Sequence, residues 1–261
     1  RRLGHLLNKL LFGKSDQEAV VSPELIDVVN DKNFHWFNHY QMPNGVHVHG
    51  RRFEPYGPDN YPDELLKSRQ LTDNREAEIW ALVNKKPFDR ASADAKTVDL
   101  RAVTTNSPQS ADSPYLYGQD ALDRFTMAEG YKIELFASER EFANLANPVQ
   151  LTFDGKGRLW VAVMPSYPHY KAGDPRPNDK ILIYEDTTGD GQADKETIFA
   201  DHLHLPIGFE LTPEGVYVSQ APNLMLLRDI NGDDRADTRD IILSGFDTHD
   251  THHAISAFTR D

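Results

Sequence analysis

The chain of 261 residues has no cysteine. That absence excludes disulfides, thiolate-bound zinc, a cysteine nucleophile and a C-x-x-C-H haem attachment, and it suits a secreted or periplasmic protein. Positive charge is scarce, with 28 Lys+Arg against 41 Asp+Glu and a formal net charge of −13. Phosphate binding needs a basic patch, so this balance argues against nucleic acid as a partner. No run of 18 apolar residues occurs, and nothing reads as a membrane span. A glycine-rich phosphate loop and a G-x-S-x-G elbow are also missing. The chain opens on Arg1 without a methionine or signal peptide and closes on Asp261 within a strand-like pattern. We therefore expect a piece of a longer polypeptide, with any export signal upstream.

What remains is long enough for one large domain or two ordinary ones. Leu3, Leu6, Leu7, Leu10 and Leu11 recur at helical spacing before Gly13, predicting a helix over 2–12. Ser22-Pro23-Glu24 supplies a cap, a first-turn proline and an acid at the positive helix end. That second helix runs through Leu25, Val28 and Val29 towards Phe37 and stops before Pro43. A third is predicted over 63–84, with Leu65, Leu66, Ile79, Leu82 and Val83 on its apolar side. Residues 89–122 are rich in Ala, Ser, Thr, Asp and Asn without a period, and read as a linker.

Beyond Phe125 the pattern changes to short strands divided by turn residues. Residues 131–136 alternate like a strand, and then a repeat appears. Gly157-Arg-Leu-Trp160 matches Gly215-Val-Tyr217, and Ile181-Leu-Ile-Tyr-Glu-Asp186 matches Leu224-Met-Leu-Leu-Arg-Asp229. Each copy continues through an Asp-rich turn into a further strand, which makes four strands per unit, as in a propeller blade. Asp186 and Asp229 are 43 residues apart and Gly157 and Gly215 are 58 apart, so the first copy is 15 residues longer, an excess assigned to the loop at 165–178. Long loops on such a scaffold are often functional. The expected fold is mixed: a mainly α-helical segment over 1–90, a linker over 91–122, and a truncated all-β propeller over 123–261. Two blades and the first strand of a third are expected.

The two turns place oxygens at positions 1, 3, 5 and 9: Asp186, Thr188, Asp190 and Asp194, then Asp229, Asn231, Asp233 and Asp237. Calcium takes such oxygen sets. Position 12, usually a bidentate Glu, is Thr197 in one copy and Asp240 in the other, and Asp234 replaces a glycine. The other reading is a hairpin whose Asp and Asn side chains bond their own backbone amides.

His252 and His253 follow Asp247-Thr-His249-Asp-Thr251 at the expected opening of the third blade, where a histidine can serve as a base or bind metal. The alternative is a polar entrance in which histidine bonds nearby backbone. His47 and His49 lie two apart on an expected strand, with no third ligand apparent. His202 and His204 flank the exit from the first blade. His35 and His39, one helical turn apart, are expected at solvent or an interface and carry no assigned chemistry.

Asn147-Pro148-Val149, Phe153-Asp154, Gly157-Arg-Leu-Trp-Val161, Leu205-Pro206-Ile-Gly208-Phe209, the Asp-rich turns and Asp250-Thr-His-His253 occur in this order. In this the propeller half resembles a membrane-bound dehydrogenase-like family of bacterial multidomain proteins, related to glucose/sorbosone dehydrogenases. The resemblance implies oxidation of a sugar or other small polyol with the quinone cofactor PQQ, His253 or else His252 being the base. It also implies a haem domain outside this chain. Two blades without the rest leave an exposed sheet edge, so no turnover by this chain alone is expected. The N-terminal 90 residues resemble the tail of an SGNH/GDSL-type hydrolase in Arg1-Arg-Leu-Gly-His5, Asn33-Phe34-His-Trp36 and Asn74-Arg75-Glu76. That family's catalytic positions would precede Arg1. The implied whole is a periplasmic or extracellular carbohydrate-active protein. A propeller that binds glycan or protein without catalysis is the alternative, and an interdomain scaffold a third.

Overall fold

A computed structural model of the chain describes residues 21–41, 45–50, 53–102, 115–168 and 170–258. The helix expected over 2–12 lies outside them. A helical part is followed by two four-stranded antiparallel sheets, so the fold is mixed α and β.

Helix α1 spans Pro23–Tyr40, and the Ser22 hydroxyl accepts the Leu25 amide at 3.2 Å to cap it, as its sequence predicts. A short helix α2, Tyr56–Asp59, leads into α3, Tyr61–Val83. The face that α3 buries is only in part the apolar one expected, for Leu65, Ile79 and Leu82 are half-buried. Leu66 and Val83 are exposed, while Glu64, Ser68, Leu71, Thr72 and Arg75 are buried. The reason is ionic. Arg75 Nε donates to Asp31 of α1 at 2.5 Å, and its two terminal nitrogens fork onto Asp94 at 2.9 and 2.7 Å. A buried guanidinium is tolerated only when its donors are met, and these partners fix which helix faces meet.

Asp94 belongs to α4, Arg90–Asp94, in the stretch whose composition reads as a linker. Residues 90–102 are instead laid along α3. Lys67 donates to Thr97 and the Val98 carbonyl, and Gln70 accepts the Val98 amide. Another short helix, α5, spans Gln119–Leu122. Residues 131–136 have no regular structure and no ladder, which corrects the strand expected there.

Sheet A comprises β1 Pro148–Phe153, β2 Leu159–Val163, β3 Asp179–Glu185 and β4 Lys195–Leu203. Sheet B comprises β5 Phe209–Thr212, β6 Gly215–Gln220, β7 Asn223–Arg228 and β8 Thr238–Ser244. Both run in the order of the chain. Register refines the repeat. Val161 pairs with Leu182, and Val218 with Met225, so the matching positions of β2 and β6 are 57 residues apart. Gly157 and Gly215 are thus one position out of step, and the excess in the first copy is 14 residues rather than 15.

Alternation assigns each sheet two apolar faces. Trp160, Ala162, Ile181 and Ile183 of sheet A pack on Phe209, Val218, Met225 and Leu227 of sheet B. Val161, Val163, Leu182 and Tyr184 face the other way, against Phe136, Phe142 and Leu145.

The insertion between β2 and β3 ties the sheets to the helices. Its Tyr170 ring meets Phe34 of α1 edge-on at 4.9 Å, and Arg176 lies 3.4 Å from Asp31. Asp179, fully buried at the start of β3, anchors the base of this loop. It accepts the Ser166 amide and hydroxyl at 3.0 and 2.5 Å, and the Leu205 amide at 2.7 Å. Burial pushes the Asp179 carboxyl up in pKa, and these hydrogen bonds pull the other way.

Candidate functional site

A cleft of about 1500 Å3 opens between α1, α3, the insertion and the turns at the near end of sheet B. Its floor on the helical side is Asp31, on which charge converges. His35 Nε2 is 3.7 Å away, and Arg75, Arg90 and Arg176 lie at 2.5, 4.0 and 3.4 Å. Burial pushes the Asp31 carboxyl up, but His35 and Arg75 outweigh it and hold the group well below the usual carboxylate range. The walls carry Asn30, Asn33, Gln220 and Asn223, together with the rings of Phe34 and Phe37.

His35 is 4 % exposed, within the helix pair rather than at solvent. His39 is stacked on Trp36, with ring centroids 5.6 Å apart. His202 and His204 line the cleft. His47 stands in a 3-10 turn, Gly45–His47, so strand alternation does not set it beside His49 on one face. This loop docks on the C-terminal segment instead, the Val46 amide donating to the His249 carbonyl at 2.6 Å.

His252 and His253 lie in another 3-10 turn, Thr251–His253, and not on the strand expected to open a third blade. The His253 side chain is 73 % exposed, with Nδ1 3.1 Å from the Asp250 carboxylate. The cavity beside this turn, lined by Asp250, Thr251 and His204, measures only about 20 Å3. Such a space is about one water in size. Among the described residues, the space beside His253 is therefore smaller than a quinone cofactor would need.

The Asp-rich turns are near copies. Asp186 accepts the amides of Gly189, Asp190 and Gly191, and Asp229 accepts those of Gly232, Asp233 and Asp234. Asp194 takes the Thr187 and Thr188 amides, and Asp237 those of Ile230 and Asn231. Asp190 and Asp233 accept from Gln192 and Arg235. Thr188 donates to Asp186, and Asn231 to Asp233 and Asp237. Bonds from the Gly191, Gly189 and Asp190 amides hold the Asp186 carboxyl below its ordinary pKa. Asp240 lies outside the turn, on β8, paired with Arg228. No group of three His, Cys, Asp or Glu side chains among the described residues converges to hold a metal ion. The carboxylates of the turns meet backbone N–H groups instead.

The family model described as a domain of unknown function, DUF7133, matches residues 118–260. The chain belongs to the DUF7133 family. The DUF7133 region takes in both sheets, the segment carrying Phe136, Phe142 and Leu145, and the turn with His253. Helices α1 to α4 precede it. No curated protein and no solved structure matches the chain. Among the described residues, no helix is long and apolar enough to cross a membrane.

Sequence reasoning missed the cleft. Its floor joins Asp31 to residues 44, 59 and 145 positions further on, and no local motif signals such a meeting. The insertion was the one legible hint.

Proposed function

We propose that this chain belongs to a secreted or periplasmic carbohydrate-active protein, and that the cleft binds a carbohydrate or other small polyol. The observation that carries this reading is the lining of the cleft. Planar side-chain amides that can bond hydroxyls line it together with the rings of Phe34 and Phe37, which can cover sugar C–H faces. In this reading the sheets are consecutive propeller blades. Their support is the stacking: sheet B meets sheet A with the face corresponding to the one that A turns to Phe136 and Leu145. The helical layer is the tail of an SGNH/GDSL-type domain, and its part here is to wall the cleft.

A second reading, sugar oxidation of the glucose/sorbosone dehydrogenase kind, rests on the Asp250–His253 contact. A carboxylate on Nδ1 orients the imidazole for proton transfer at its other nitrogen. PQQ would supply the hydride acceptor, and among the described residues the space beside His253 is only about one water in size.

Calorimetric titration with neutral oligosaccharides separates the readings. Binding weakened at least tenfold by Arg176→Ala and by Asn223→Ala, and unchanged by His253→Ala, supports the cleft. Absence of binding to any neutral saccharide removes it. Dye-linked sugar oxidation that needs added PQQ and is lost in His253→Ala establishes the second reading.

A further inference from the structure

The two sheets are joined by a hydrogen bond that occurs twice. Ala193, in the first Asp-rich turn, donates its amide to the Phe136 carbonyl at 2.8 Å. Ala236, at the matching place in the second turn, donates to the Phe199 carbonyl, also at 2.8 Å. Each turn therefore latches its own sheet to the element before it.

Phe199 is no ordinary member of β4. Ile181 pairs with Ala200 and Leu182 with Ile198, so Phe199 is the extra residue of a bulge. A bulge disrupts the local ladder and re-aims the backbone. In sheet B the same slip recurs 43 residues later. Leu224 pairs with Leu243 and Met225 with Ile241, leaving Ile242 as the extra residue. Ile242 is 42 % exposed and Leu243 54 %, whereas their counterparts Phe199 and Ala200 are 4 % and 3 % exposed beneath sheet B. Among the described residues, no backbone amide from outside the sheet donates to the Ile242 carbonyl.

We infer that the bulge of β8 is the acceptor for a further repeat of the same kind, carried downstream in the same polypeptide. The alanine amide of a third Asp-rich turn bonds the Ile242 carbonyl, and the apolar face of a third sheet covers Leu224, Ile242 and Leu243. The interface between sheets A and B supplies the template, since Leu224 and Leu226 stand where Ile181 and Ile183 stand in sheet A. A second copy of this chain is not the occupant. The sheet A face that would have to dock is already covered by Phe136, Phe142 and Leu145. The inference rests on the repeat-stacking part of the reading above and is independent of any ligand.

The test uses the absence of cysteine. The Ile242→Cys variant is made in the full chain, with and without a repeat of residues 205–245 fused after residue 261, and its thiol-modification rate is measured. The fused repeat is expected to slow modification at least tenfold and to protect its own copy of the Ala236 amide from hydrogen exchange. Ile230→Cys, in the exposed turn, should react at the same rate in both. An unchanged Ile242→Cys rate overturns the latch, and so does a fused repeat that stays unfolded beside a folded sheet B. Small-angle scattering of the fusion tests propeller curvature separately: slowed modification with a straight stack keeps the latch and removes the propeller.

Discussion

Arg158 and Asp234 face each other across the two sheets, with a guanidinium nitrogen 2.8 Å from a carboxylate oxygen. Arg158 also bonds Asp154 at 2.8 Å within its own hairpin, so one cation joins both sheets. Asp234 reaches it at a cost. It stands where the first turn has Gly191, and it keeps the left-handed backbone, with φ of 63° against 88° for the glycine. A non-glycine residue there costs roughly 1 kcal/mol.

Strain and bridge therefore oppose each other at Asp234, which fixes an order of stabilities. Asp234→Ala removes the bridge and keeps the strain, and should lower unfolding free energy by roughly 1 kcal/mol, the range of a partly screened pair. Asp234→Gly removes both and should leave stability within about 0.5 kcal/mol of the parent. Urea titration of the two variants measures the difference. Ala at least as stable as Gly would show that the backbone there is unstrained, and Ala as stable as the parent would show that the bridge contributes nothing.

The Asp154 carboxyl predicts a pH dependence. Burial raises its pKa, but the Trp160 indole, the Arg158 amide and guanidinium and the Lys156 amide outweigh that and bring it to about 2, from an ordinary 3.8. A carboxyl whose folded pKa is depressed stabilises the native state fully above its unfolded pKa and loses that effect as pH falls through the folded one. The window is therefore pH 4 down to 2. Its size is about 1.5 kcal/mol after allowance for solvent screening. Asp154→Asn should flatten this limb of the stability curve, and an identical acid limb in parent and variant would assign the effect to other groups.

Much of the β part was legible because its determinants are local. Alternation, turn glycines and the Asp-rich loops lie within a few residues of one another, and the 43-residue spacing follows from them. Residues 131–136 show the limit: alternation describes a strand only if a partner strand is present, and among the described residues none pairs with them. The helical faces were misread for a different reason. Counting apolar residues on α3 favoured Leu66 and Val83, but the Asp31–Arg75–Asp94 cluster spans 44 and 19 positions, and its pairing energy decides the packing. Asp179 was silent for the same cause, since Ser166 and Leu205 approach it only after the insertion has folded.

That cluster makes Arg75 the most sensitive position of the helical layer. Arg75→Ala leaves Asp31 and Asp94 with their principal partner gone, and breaking a buried ionic cluster costs about 3–5 kcal/mol. Arg75→Lys keeps the charge and loses the fork, so it should fall between Ala and the parent. Hydrogen exchange of α1 and α3 amides is the measurement. Loss of protection in these helices with sheets A and B unaffected is expected; unchanged protection would mean that apolar contacts alone hold the helices together.

The two readings of the Asp-rich turns diverge when calcium is removed. If Asp186 and Asp229 act by accepting backbone amides, Asp186→Ala lowers the melting temperature by the same amount in chelator as in millimolar calcium, because the lost partners are Gly189, Asp190 and Gly191. A bound ion behaves differently. Anything that binds only the folded state raises stability with concentration, so the parent would melt higher in calcium and the variant would lose that increment. The geometry favours the first outcome, since no three acidic side chains converge among the described residues. Thr187 adds to this: its amide and hydroxyl both bond Asp194, closing the turn from the opposite side. A melting temperature that rises by several degrees between chelator and millimolar calcium, and does so only with Asp186 and Asp229 intact, would assign the turns to calcium instead.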